Sequence, residues 1–185
     1  LDVTDDGLIS SAFSSVQKNH GKLDMLVNNA AVAIPPGSLS TQLNTAFATN
    51  ATGPAVVAST FLPLMQASTH ANKRIINISS GAGSIGQRLN PSSQMYKMYG
   101  MWQYRASKAA LNMLSACMEV EYKEHGIRVF AFDPGFTVSN LSDHNKAEHG
   151  ARSAEASVKP LVELIEGSRD EEEGKLLHNS GFYPW

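Results

Sequence analysis

Tyr104 and Lys108 stand four residues apart in a stretch, Tyr104 to Tyr122, whose apolar positions Ala106, Ala109, Ala110, Leu114 and Met118 predict a helix. At that spacing the phenol and the ammonium lie on one side of the helix, about a turn from each other. A tyrosine near pKa 10 is a poor acid or base at neutral pH. A nearby ammonium favours the phenolate and lowers that value, so the pair is a candidate general acid/base unit. The same pair also occurs on the surface of ordinary amphipathic helices. Ser79 and Ser80 follow a short apolar run and precede Gly81. They could donate to a carbonyl oxygen or cap a loop. Asn50 sits inside a helical segment, where asparagine is a poor helix former, and this points to a packing or hydrogen-bond duty. Asn28-Asn29-Ala30-Ala31 ends another apolar run with residues small enough to let a ligand approach the backbone.

These residues need elements to place them. Thr4 or Asp5 can cap a helix over about residues 6–19, where Leu8, Ile9, Phe13 and Val16 share a face, and His20-Gly21 ends it. Leu23 to Val27 reads as a buried strand. Residues 40–67 are mostly helical, with breaks at Gly53-Pro54 and Pro63. Strands are predicted at Arg74 to Ile78, at Ile127 to Phe132 and, short, at Lys175 to His178, with a last helix near 153–166. Helix and strand alternate, strands are apolar and crossovers long. That order predicts an α/β fold, a Rossmann-like doubly wound parallel sheet with helices on both faces. In such sheets ligands bind beyond the carboxyl ends of the strands, where the candidate residues fall.

Composition narrows the classes. Of 185 residues, 42% are hydrophobic and 17% charged, with 15 basic against 17 acidic for a net charge of −2. Without a basic surplus, nucleic-acid binding is not expected. A single cysteine, Cys117, excludes an intrachain disulfide framework and fits a reducing, cytoplasmic compartment. No apolar run approaches the roughly 18 residues that cross a bilayer, so no membrane partner is expected. The six histidines show no metal-ligand spacing, so no metal is expected.

Taken in order, Asn28-Asn29-Ala30, Asn50 with Gly53, Ile78-Ser79-Ser80, Tyr104-Arg105-Ala106-Ser107-Lys108 and Asp133-Pro134-Gly135 resemble the classical short-chain dehydrogenase/reductase family over about residues 1–182. The resemblance implies an oxidoreductase that moves a hydride between NAD or NADP, with NADP the preferred expectation, and a carbonyl or secondary alcohol. It assigns Tyr104 as proton donor or acceptor and Lys108 as the group that lowers the Tyr104 pKa and binds the nicotinamide ribose. Ser80 would hold the substrate oxygen, and Asn50 would position a water that relays protons through Lys108. Asn28 and Ala30 would support the cofactor-side turn. Pro134 and Gly135 would lie against the nicotinamide with Thr137 on its carboxamide, and Asp2-Val3 would contact adenine. A homodimer or homotetramer, paired through the helices at 40–67 and 104–125, is also implied.

Three departures qualify this picture. Ala31 stands where the family motif has glycine. Ser80 and Tyr104 are 24 apart, about twice the family's common spacing, and the surplus at 87–101 carries Met95, Tyr96, Met98, Tyr99, Met101 and Trp102. That segment is an apolar wall for a fairly hydrophobic ketone or an exposed loop or subunit contact. No Gly-rich phosphate loop precedes these motifs, and Gly81-Ala82-Gly83-Ser84-Ile85-Gly86 lacks the strand-loop-helix context of one. Residues 1–185 are therefore expected to be one domain, partial, starting in mid-fold at Leu1-Asp2-Val3. A truncated, non-catalytic partner subunit is the alternative. A hydrolase using Ser80 is disfavoured, because no Gly-x-Ser-x-Gly elbow surrounds it.

Overall fold

The computed structural model describes residues 1–185. Five strands, β1 (Met25–Asn28), β2 (Lys73–Ile78), β3 (Ile127–Phe132), β4 (Leu176–His178) and β5 (Gly181–Tyr183), form one sheet in that spatial order. The first four pair in parallel, with Asn28 beside Asn77 and Asn77 beside Ala131. This confirms the Rossmann-like arrangement. The fifth strand departs from it: β5 turns back on β4 as an antiparallel edge. Gly181-Phe182-Tyr183 is too short to show alternation, so its pattern gave no sign of a strand.

Strand alternation decides which side chains meet which layer. On one face, Ile75 of β2 and Ile127 and Val129 of β3 pack with Ala58, Met65 and Met118 from the helices α3 (Gly53–Gln66) and α6 (Trp102–Tyr122). On the other, Ile76, Phe130 and Phe132 pack with Leu164 of α7 (Ala154–Glu166) and Leu177. The helix α1 (Asp6–His20) lies against α3 through Ile9, Val57, Phe61 and Leu64. Its ends follow the sequence signals. Asp5 accepts from the Leu8 amide at 2.9 Å, and Gly21 closes the helix at φ +70°.

The helical stretch at 40–67 is not uniform. Between α2 (Leu39–Phe47) and α3 the chain makes a π-helical turn at 48–52. Such turns occur at functional sites more often than elsewhere, and this one carries Asn50. The end of the Gly-rich run at Ile85-Gly86 and residues 87–101, which show no clear period, also hold structure: the short helices α4 (Ile85–Leu89) and α5 (Gln94–Lys97). Arg88 Nη1 donates to the carbonyls of Met95, Tyr96 and Met98 at 2.8–3.0 Å, and Arg105 donates to Gly100 and Met98. The chain enters α6 through Met101 at φ +57°. The C-terminal segment straps the start of α4: Ser84 Oγ donates to the Pro184 carbonyl, and the Gly86 amide donates to that of Trp185 at 3.0 Å.

Candidate active site

The parallel register brings the ends of β1, β2 and β3 side by side, and the candidate residues gather there. α6 runs along the sheet with Tyr104 and Lys108 facing inward, both buried. Lys108 Nζ donates to the Ile78 carbonyl at 2.8 Å, at the end of β2, and lies 5.8 Å from the centre of the Tyr104 ring. The two adjacent serines differ. Ser79 is buried, and its hydroxyl donates to Asn112 Oδ1 on α6. Ser80 is half-buried; its hydroxyl oxygen accepts from the Ala82 amide at 3.1 Å, and the hydroxyl stands close enough to the Tyr104 phenol to favour its phenolate. Ser80 is thus the serine that faces the acid/base group.

The loop after Ser80 is glycine-bound to this position. A Cβ on Gly83 would lie 2.6 Å from the Lys108 carbonyl carbon and 2.7 Å from the Ala109 nitrogen. Gly81 to Gly83 form a 3-10 turn pressed onto α6 beside Lys108 and Ala109.

Burial pushes the Tyr104 phenol up to about 12; the Ser80 hydroxyl opposes this and the Asp133 carboxylate adds to it. Burial brings Lys108 down to about 8, against the favourable pull of Asp133. Lys108 is not among the groups that shift the Tyr104 phenol in this structure, where its ammonium is turned to the Ile78 carbonyl.

Asn50 is fully buried. Its amide donates to the Val32 carbonyl at 2.8 Å and to Ser107 Oγ at 2.9 Å, and its oxygen accepts from the Val32 amide at 2.8 Å. Both of its N–H groups are committed to protein, so the side chain ties the loop after β1 to the residue before Lys108. Asn28 is likewise structural in its contacts. It donates to Asn77 Oδ1 at 2.8 Å, and Asn77 donates to Ser115 on α6 at 2.9 Å.

The cofactor-side candidates fall into two groups. Val3, Asn28 and Ala30 line a groove of about 230 Å³ with Leu1, Val27 and Pro54. Asp2 stands apart from its lining, with its carboxylate accepting from Thr4 N and Oγ at 2.9 and 2.7 Å. Pro134 and Gly135 follow β3 beside the serine loop. Gly135 has φ +75°, and a Cβ there would meet Arg152 at 2.6 Å. Thr137 Oγ1 donates to Gly135 O at 3.0 Å and bonds Ser157 Oγ at 2.8 Å, which fixes this turn to α7.

Sequence reasoning gives no role to Asn77, to Ser107 or to the side chain of Asp133, which enters only as a member of the ordered Asp133-Pro134-Gly135 motif. The available signal for Asp133 was its place directly after an apolar strand, where a carboxylate must be buried and partnered.

The model of the short chain dehydrogenase family matches residues 1–150. The short-chain dehydrogenase anuI of Penicillium roqueforti is 37% identical over 182 residues, covering 96% of this chain and 71% of the relative. The short-chain dehydrogenase/reductase eupG of a Phoma species is 32% identical over 209 residues, covering the whole chain and 75% of the relative. The chain belongs to the short-chain dehydrogenase family. It is a nicotinamide-dependent oxidoreductase acting on a carbonyl or alcohol. Among solved structures, the NADPH-bound carbonyl reductase from chicken fatty liver superposes with a TM-score of 0.83 at 29% identity, over all of this chain and 75% of that one. No helix of this family member is long and apolar enough to cross a membrane.

Proposed function

We propose that this dehydrogenase reduces a fairly hydrophobic ketone with NADPH, and that Ser80, Tyr104 and Lys108 carry the reaction. The observation that carries this reading is Tyr104 itself: a buried phenol, held protonated at neutral pH, with the Ser80 hydroxyl beside it. The substrate carbonyl oxygen accepts from Ser80 and Tyr104 together. As negative charge grows on that oxygen, Tyr104 gives up its proton, and both donors stabilise the charge in a site shielded from water. Lys108, brought to about 8 by burial and 5.8 Å from the centre of the Tyr104 ring, would stabilise the phenolate that results and hold a ribose hydroxyl of the cofactor. Asn50 acts through Ser107 on the turn of α6 that bears both groups.

A bound nicotinamide supplies the hydride. Pro134, Gly135 and Thr137 would hold its ring end. Val3, Asn28 and Ala30 would flank its adenine side, with Asp2 close by in the chain. The fit rests on the open groove at the end of β1 and on the ordered turn after β3. NADPH is favoured over NADH because the chicken carbonyl reductase binds it. An apolar substrate is favoured by the exposed Leu89, Tyr99 and Trp102 around the Ser80–Tyr104 segment. The benzil reductase of Bacillus cereus, 29% identical over 170 residues, acts on such a ketone. Residues 1–185 work as one domain of a cytoplasmic homodimer or homotetramer, a reading supported by the single cysteine and by the exposed Met113 and Val120 on the outer face of α6.

The test is loss of NADPH absorbance with the purified protein and a panel running from aromatic diketones to small sugars. Turnover of the aromatic ketones, reduced at least about 100-fold in Tyr104→Phe with NADPH affinity within about twofold, is the expected result. Wild-type turnover in that variant removes Tyr104 from the chemistry. Preference for NADH or for sugars overturns the cofactor or substrate assignment.

A further inference from the structure

Asp133 makes a link that its place in a turn does not require. One oxygen, Oδ1, accepts from the Gly135 amide two residues on at 2.7 Å, as an aspartate before a Pro-Gly turn commonly does. The other, Oδ2, accepts from the Gly81 amide at 2.8 Å, across 52 residues of sequence. Gly81 follows Ser80, and Gly135 follows Pro134. One buried carboxylate thus joins the loop that presents the substrate-holding serine to the turn proposed to face the nicotinamide. The approach is close: a Cβ on Gly81 would lie 3.1 Å from Asp133 Oδ2 and 2.7 Å from the Tyr183 ring. The carboxylate backbone is pinned as well, its amide donating to Leu177 O of β4 at 2.8 Å.

We propose that Asp133 is a positioning residue for hydride transfer, its carboxylate setting the spacing between the Ser80 loop and the Pro134–Gly135 turn. The proposal rests on the oxidoreductase reading above for what those two segments hold. Hydride transfer demands that donor carbon and carbonyl carbon be held in near contact, and displacement by an ångström can lower the rate about 100-fold. A carboxylate suits this post because it accepts two amides at once; the asparagine amide can accept only through its oxygen.

Its charge has a second effect. The groups around Asp133 are Tyr104 and Lys108 on α6, His178 on β4 and Tyr183 on β5. Burial raises the Asp133 pKa, the two amides, His178 and Lys108 oppose this, and the carboxylate in turn disfavours the Tyr104 phenolate. Removing the charge therefore moves the deprotonation of Tyr104 to lower pH.

Asp133→Asn and Asp133→Ala, assayed in both directions, test this. The expected result for Asp133→Asn is a fall in kcat of about tenfold with NADPH affinity within about twofold. The rising limb of alcohol oxidation against pH should shift to lower pH. Asp133→Ala should lose more. Wild-type kcat in Asp133→Asn, or an unmoved pH limb, overturns the proposal. Amide hydrogen exchange of the wild-type protein gives a readout independent of either variant's folding: Gly81 and Gly135 should both be protected, and rapid exchange at either overturns the link. A wild-type protein that binds NADPH but reduces no ketone counts against the oxidoreductase reading, while protection of the two amides would still establish the clamp.

Discussion

Lys108 is held in the folded chain at a free-energy cost. Its ammonium is almost wholly buried, and its one hydrogen bond within the protein runs to the Ile78 carbonyl. Burial lowers its pKa from 10.5 to about 8. Below about pH 8 the lysine is charged in both folded and unfolded chains, and the folded state bears the desolvation cost, on the order of 3 kcal/mol. Between about 8 and 10.5 the unfolded chain binds the extra proton, so stability rises with pH through that window as this cost disappears. Lys108→Met is therefore expected to be catalytically inert yet more stable at pH 7 by about 1–2 kcal/mol, the lost bond to Ile78 O offsetting part of the gain. Urea unfolding at pH 7 and pH 10.5 checks this. A gain of equal size at both values would show that the ammonium carries no such cost. At this scale the acid/base residues were legible because their types and spacing are short-range. Their state was not. That Lys108 turns to a backbone carbonyl, or that Asp133 bridges two loops, depends on neighbours 30 and 52 residues away.

Elements position these side chains through backbone contacts as much as through side chains. The 3-10 turn at Gly81–Gly83 touches the backbone of α6 where Lys108 and Ala109 meet. Those are fixed backbone atoms, so Gly83→Ala must push the serine loop and the helix apart. It is expected to destabilise the fold by about 2–3 kcal/mol, and to lower kcat in whatever fraction still folds. Thermal melting and turnover of the purified variant measure both; wild-type values would mean the loop has slack. The π-helical turn at 48–52 works similarly on Asn50, whose type was a clear signal although the turn was not. An asparagine in a helix announces a duty, while the extra residue per turn leaves no mark on periodicity. The same limit hid β5 and the short helices α4 and α5. Each is only three to five residues long and is held by contacts that periodicity does not report, such as Arg88 on the 95–98 backbone and Pro184 on Ser84.

On the scale of the molecule, the end of the sheet away from the active site is closed by charge. Arg74 of β2 is fully buried and meets Asp170 at 2.9 Å, and Arg128 of β3 meets the other oxygen of that carboxylate at 2.8 Å. Arg74 also donates to the Leu164 carbonyl of α7. The segment after α7 is thereby tied to two central strands. Asp170→Ala leaves a buried guanidinium without its carboxylate and is expected to cost about 3 kcal/mol. Equilibrium denaturation should show that loss, with ketone KM unchanged in the folded protein because the site lies at the opposite strand ends. A cost below about 0.5 kcal/mol would place the pair among ordinary surface contacts. The parallel strands and the long helices packed on them were legible from apolar runs and periodicity, and the end of the sheet that bears the candidate residues from their places just after strands. This charged closure was not, since an arginine inside a short strand reads as exposed until its partner is found.

The strap over α4 bears on how the protein can be observed. The chain has two tryptophans: Trp185, whose carbonyl accepts from Gly86, and Trp102, two residues before Tyr104 at the start of α6. Both indoles are partly exposed, and each adjoins one end of the segment that joins Ser80 to Tyr104. Tryptophan emission, excited apart from that of the five tyrosines, therefore comes wholly from the two ends of that segment. Quenching or a spectral shift during titration with a ketone reports on that segment directly, with no label and no turnover, and Trp102→Phe separates the two emitters.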